Sequence, residues 1–187
     1  MSILNNKDIP LIQKGVSFNE IPDKTAVYFE LGDCNAHCKG CHSPELQEPF
    51  RLHDDRYVSI NDCMKYADEQ LDKGANAIVV LGGTKTYTDF PLIPLLKALG
   101  TLAPVCLYSG SDSVQTERSR AVEAGCKWLK VGSYQEDKGG LMSKKTNQRF
   151  YEIFPCYRKD AYDLIIDKEY DFIDNTYMFW EKGDGKD

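Results

Sequence analysis

Three cysteines share one short run of the chain, Cys34, Cys38 and Cys41 in Gly-Asp-Cys-Asn-Ala-His-Cys-Lys-Gly-Cys-His. Thiolates this closely spaced suit a four-iron, four-sulfur cluster, which normally takes four cysteine ligands, and no fourth cysteine lies near in sequence. One iron would then be open to a substrate. A structural zinc site usually closes its tetrahedron with two paired ligand sets, and this chain has one. Zinc completed by His37 or His42 is the alternative that spacing leaves open.

The elements around the loop must hold it. Thr25 to Leu31 alternates Val27, Phe29 and Leu31 against Ala26, Tyr28 and Glu30, the period of a strand, and it stops at Gly32 just before the cysteines. Ser59 can cap a helix in which Ile60, Cys63, Met64, Ala67 and Leu71 recur at helical spacing, with Gly74 at its end. Ala77 to Leu81 reads as a buried strand. Pro91 to Leu99 is helical, Val105 to Tyr108 a strand, Val114 to Ala124 a helix stopped by Gly125, and Trp128 to Val131 a strand. Successive β-loop-α units predict a parallel sheet whose ligands gather at the carboxyl ends of the strands. There is no internal repeat and no linker-like composition, so 1–187 is read as one domain.

Composition narrows the function. With 23 Lys and Arg against 29 Asp and Glu the net charge is −6, and no basic run marks a nucleic-acid surface. No stretch approaches the ~20 apolar residues of a membrane span and the first residues lack an apolar signal core, so neither nucleic acid nor membrane is an expected partner and a cytoplasmic location is expected. Seven cysteines, an odd number, are read as thiols and metal ligands rather than as a disulfide framework. Cys63, Cys106, Cys126 and Cys156 are expected to be small buried apolar residues. The 187 residues fall short of the ~250 of a complete eight-fold barrel.

Two further strand ends carry motifs. Leu81-Gly82-Gly83-Thr84 lets a backbone without Cβ come close to a ligand, although a Gly-Gly pair alone is more often a tight turn. Val105-Cys106-Leu107-Tyr108-Ser109-Gly110 is a strand running into a turn. After Leu129-Lys130-Val131-Gly132-Ser133-Tyr134 comes Lys145-Thr146-Asn147-Gln148-Arg149. The spacing C-x3-C-x2-C, followed in order by these segments, resembles the radical S-adenosylmethionine (SAM) proteins. Within them it looks most like the activating proteins of anaerobic ribonucleoside-triphosphate reductase, over about Val16 to Phe154. Most radical SAM members have an aromatic residue where Gly40 stands, and an acidic residue where Thr84 stands.

The resemblance implies a partial β/α barrel with a mostly parallel sheet, α/β in class. It implies that Cys34, Cys38 and Cys41 ligate a [4Fe-4S] cluster whose open iron chelates SAM. Gly40, Cys41 and His42 would line the adenine side through main-chain contacts, and Gly82, Gly83, Thr84 and Ser109 would complete the SAM site. An electron from the reduced cluster would cleave SAM to methionine and a 5′-deoxyadenosyl radical, and the cofactors would carry the chemistry. The expected activity is abstraction of a hydrogen atom from a glycine of the large reductase subunit, with a flavodoxin or ferredoxin as low-potential electron donor and no amino-acid general base. Asp89 is the candidate to supply the charge that Thr84 lacks. The His42 ring is read either as a donor near a cluster sulfide or as simply solvated, whereas His37 and His53 read as ordinary loop residues. The aromatic and acidic tail, Tyr157 to Trp180, reads as an extra strand or helix covering the sheet edge, in preference to a docking surface for a partner. Gly183 to Asp187 reads as a frayed end. An iron–sulfur or zinc protein without SAM chemistry, or a radical SAM enzyme with another substrate, is the alternative function.

Overall fold

The structure, a computed structural model, describes residues 5–50, 55–86, 90–159, 161–162 and 165–180. His53, Asp89 and the end from Gly183 to Asp187 lie outside them. Eight strands, β1 (Lys7–Ser17), β2 (Ala26–Leu31), β3 (Tyr57–Ser59), β4 (Ala77–Gly82), β5 (Val105–Tyr108), β6 (Trp128–Val131), β7 (Arg149–Lys159) and β8 (Ile165–Asp174), form one sheet in the order β3-β1-β2-β4-β5-β6-β7-β8. Three helices, α1 (Ile60–Leu71), α2 (Leu92–Leu99) and α3 (Val114–Glu123), separate the inner strands.

The expectation of a mostly parallel partial barrel of the radical SAM type is overturned. Pairings β2–β4, β4–β5 and β5–β6 are parallel, but β1–β2, β1–β3, β6–β7 and β7–β8 are antiparallel, so the sheet is mixed and mostly antiparallel. The cause lies at the two ends of the chain. β1 folds back on β2 as a hairpin, and β7 returns beside β6 without an intervening helix. The short links from β1 to β2 and from β7 to β8 allow only antiparallel pairing, the non-helical segment from Gly132 to Gln148 turns the chain back beside β6, and the helical crossovers between β2 and β6 allow parallel pairing. Tyr157 to Trp180 supplies the edge strand β8, as the plainer reading of the tail had it.

Alternation within the inner strands builds two apolar layers. Val27, Phe29, Leu31, Ile78, Val80, Leu107, Leu129 and Val131 face one side, where the buried residues of all three helices pack on them. Leu92, Leu95, Leu96 and Leu99 of α2 are fully buried there, each worth roughly 1.5–3 kcal/mol of transfer free energy. The opposite face, with Ala26, Ala77, Val79, Cys106 and Trp128, is covered by Ile21, Leu141, Phe150 and Phe179 instead of helices. α1 starts at a capping box: Ser59 Oγ accepts from the Asp62 amide and the Asp62 carboxylate accepts from the Ser59 amide. Among the described residues no helix is long and apolar enough to cross a membrane.

Cys63, Cys106 and Cys126 are buried as expected, but Cys156 is not: it sits half-exposed on β7 with its thiol donating to Asp171 Oδ2 at 2.8 Å. Burial pushes the Cys63 and Cys126 thiols up to about 12 from an ordinary 9.0. Above pH 9 the unfolded chain releases these protons while the fold retains them, so stability falls as pH rises. At pH 10 each of the two thiols costs roughly 1.4 kcal/mol. Urea unfolding at pH 8 and pH 10 should show the midpoint dropping, and Cys126→Ala should flatten the fall. An unchanged midpoint would contradict the buried-thiol account.

Candidate functional site

The cysteine loop leaves the carboxyl end of β2 and is tied down by its own backbone and by the next strand end. The Cys34 amide donates to the Leu46 carbonyl at 2.7 Å, and the Cys41 amide to the Cys38 carbonyl at 3.2 Å. Leu46 is the buried residue of the 3-10 turn Pro44–Gln47. Thr86, just beyond β4, donates its hydroxyl to the Asp33 carbonyl at 2.6 Å and accepts from the Asn35 amide at 3.1 Å, which clamps the loop entrance to the neighbouring strand. Asp33, His37 and Gly40 have positive φ, so the backbone coils back on itself within a few residues. Gly40 has φ +69°, and a Cβ there would stand 3.0 Å from Glu136 Oε1. The positive φ gives a conformational reason for glycine before the third cysteine, while the Glu136 carboxylate is the exposed end of a flexible side chain that can give way.

Cys34, Cys38 and Cys41 line one cavity of about 310 Å³ at the carboxyl ends of β4, β5 and β6. Gly82, Ser109 and His42 line it with them, so the expected strand-end residues converge. Gly40, Gly83 and Thr84 do not line it. Thr84 is fully buried, and its hydroxyl donates to the Tyr108 carbonyl. Gly82 and Gly83 lack a Cβ chiefly because β2 is too close: an added Cβ would lie 2.3 Å from the Leu31 carbonyl oxygen and 2.0 Å from that of Gly32. His42 stands edge-on to Tyr134, ring centroids 5.1 Å apart, with its Nε2 3.2 Å from the Tyr134 hydroxyl. His37 does not line the cavity itself, but its Nδ1 stands 3.4 Å from Oε1 of Gln47, which does.

Residues that sequence reasoning quoted without a role complete the wall: Lys130, Tyr134 and Gln148. Lys130 is 8% exposed, and its ammonium donates to the Gly132 carbonyl at 2.9 Å. Burial pushes its pKa down to about 8 against the pull of Cys38, Asp112, Glu20 and Cys106. The signal was legible, since a lysine in the buried strand Trp-Leu-Lys-Val is unusual without a purpose. The segment Thr146 to Arg149 shapes the mouth: Gln148 Nε2 donates to the Gly132 carbonyl at 3.3 Å, and Asn147 Nδ2 to the Ser133 carbonyl at 2.9 Å.

Chemically, the donor set is three soft sulfur atoms on one loop beside an apolar wall, which suits iron–sulfur ligation. Burial above all, with the neighbouring Cys38 and Cys41 thiolates, raises the Cys34 pKa, while the Ala36 amide and Lys85 oppose the shift. Metal uptake would therefore release protons. Among the described residues no three His, Cys, Asp or Glu side chains converge on a single ion position. Comparison with protein-family models, curated proteins and solved structures returns no match.

Proposed function

We propose that this chain is an activating enzyme for anaerobic ribonucleoside-triphosphate reductase that uses a [4Fe-4S] cluster on Cys34, Cys38 and Cys41 together with SAM. The observation that carries the reading is the convergence of these three thiols with Gly82 and Ser109 on one cavity at parallel strand ends. Held on these three cysteines, a reduced cluster would supply the single electron that opens a carbon–sulfur bond of SAM, giving methionine and a 5′-deoxyadenosyl group able to take a hydrogen atom from the partner's glycine. A flavodoxin or ferredoxin would deliver the electron.

The chain's own residues orient and shield. Thr86 and Leu46 hold the cysteine loop against β4, keeping the thiols on the cavity side. Leu81 and Tyr108 give the wall apolar surface that excludes water from the reacting groups. Ser109 Oγ accepts from the Ser111 amide at 3.1 Å, which leaves its hydroxyl proton for a ligand. Glycine as target fits this arrangement, since no side chain obstructs its α-carbon.

One observation favours a second reading, an iron–sulfur protein without SAM chemistry. Thr84 replaces the acidic residue expected to meet the SAM ammonium, and its hydroxyl is already committed to Tyr108. Anaerobic reconstitution with iron and sulfide, reduction, and addition of SAM separates the two. An electron paramagnetic resonance signal that shifts on SAM addition, with release of 5′-deoxyadenosine, is the expected result. A cluster signal indifferent to SAM, with no deoxyadenosine, would overturn the enzyme reading.

A further inference from the structure

A buried ammonium is costly unless an anion or several hydrogen bonds compensate it. Lys130 has little of either. At 8% exposure it donates one hydrogen bond, to the neutral Gly132 carbonyl, and its only other partner is the face of the Tyr108 ring at a distant 5.9 Å from the centroid, leaving two N–H donors among the described residues. Among the described residues no carboxylate stands within ion-pair distance of it. The Gly132 carbonyl is also shared with Gln148, so it is not reserved for the lysine.

Neither nearby carboxylate hydrogen-bonds the ammonium. Asp112 accepts the Ser133 amide and hydroxyl at 2.9–3.0 Å. Glu20 interacts with Tyr108 and Ser17 and feels Lys130 only electrostatically. The lysine lines the same cavity as Cys34, Cys38 and Cys41, so the wall it charges is the one the three thiols share.

We infer that Lys130 is the built-in counter-charge of the cavity, placed to offset the negative charge of an iron–sulfur cluster ligated through Cys38 and its two neighbours. The inference rests on the cluster reading given above. Three thiolates make the bound cluster anionic, and one-electron reduction adds a further negative charge. A fixed cation on the wall of the same cavity stabilises the reduced form more than the oxidised one, because the added charge lies in a low-dielectric surrounding. Lys130 thereby raises the potential at which the cluster accepts its electron. The plainer role, a lysine that merely ties off the end of β6 at Gly132, makes no such demand on the potential.

The test reconstitutes the full chain and its variants Lys130→Met, Lys130→Gln and Lys130→Arg with iron and sulfide, and titrates each cluster against mediators without SAM. Gln keeps a donor for Gly132 and loses the charge; Arg keeps the charge. In Lys130→Met and Lys130→Gln the ratio of reduced to oxidised cluster at a fixed ambient potential should fall by about tenfold, ~59 mV for a one-electron couple, with Lys130→Arg close to the parent. Apo-protein melting should be unchanged or higher in Lys130→Met, which excludes misfolding as the cause. Equal potentials in all four proteins would overturn the inference. Equal potentials with weakened SAM binding in the neutral variants would also overturn it, assigning the lysine to the cofactor's carboxylate instead. If the parent chain takes up no iron and sulfide, the cluster reading fails first, and the inference falls with it.

Discussion

If Cys34, Cys38 and Cys41 hold the proposed cluster, Cys38→Ala should fold like the parent and lose it. The Cys38 side chain is half-buried, and the hydrogen bond that shapes the loop here uses its main-chain carbonyl, which alanine retains. Thermal stability should therefore change by no more than about 1 kcal/mol. Iron and sulfide uptake should fall by more than about tenfold, the minimum expected when losing even a supporting partner of a metal ligand has effects of that order. Deoxyadenosine release should fall below detection. Cys63→Ala is the counter-case: its thiol is buried under α1 among Ile60 and Ala67, so it should lose stability and keep full cluster content. Iron analysis and melting curves on the two variants read both effects. A full cluster in Cys38→Ala would remove the assignment of ligands.

Gly83→Ala should be the most damaging small substitution near the site. Its Cβ would stand 2.0 Å from the Gly32 carbonyl oxygen, a backbone atom directly after the Leu31–Gly82 pair that ends the parallel pairing of β2 with β4, so it cannot swing aside as a side chain would. Relief requires the two strand ends to part, at a cost of about 3 kcal/mol or more. Since Gly32 directly precedes the cysteine loop, the same displacement loosens the thiols, and cluster uptake should fall with stability. Gly125→Ala provides the scale. That residue also has a positive φ, +72°, but an added Cβ meets nothing within 4 Å, so only backbone strain of roughly 1–2 kcal/mol is expected. Urea denaturation of both variants measures the difference. Equal losses would show that the close approach at Gly83 is relieved without parting the strands.

Local elements were legible because each is encoded over a few residues. The Ser59 cap, the leucine face of α2 and the alternation from Ala26 to Leu31 all stand where pattern and capping chemistry put them. The sheet's direction was misjudged because it depends on how non-adjacent strands meet. β1 breaks its alternation with a register shift between Leu11 and Gln13, and β7 and β8 lie at and beyond the end of the segment that carried the resemblance. At the site, the three thiols and Ser109 were legible as motifs. Thr84 was misleading, since its hydroxyl faces Tyr108, and Thr86 passed unnoticed because its two loop contacts cross more than fifty residues of sequence.

What the sequence by itself determined is the donor set: separations of four and three residues keep Cys34, Cys38 and Cys41 on one loop in any fold, because covalent geometry limits how far they can part. It also determined the helical faces and the strands that carry the motifs. Only the tertiary structure decided what surrounds the thiols. Lys130 and Gln148 reach them because β2, β4, β5 and β6 pair in parallel and β7 returns beside β6, bringing their ends together. Convergence of distant strand ends follows from pairing and burial across the whole sheet, and no short window of residues contains that information.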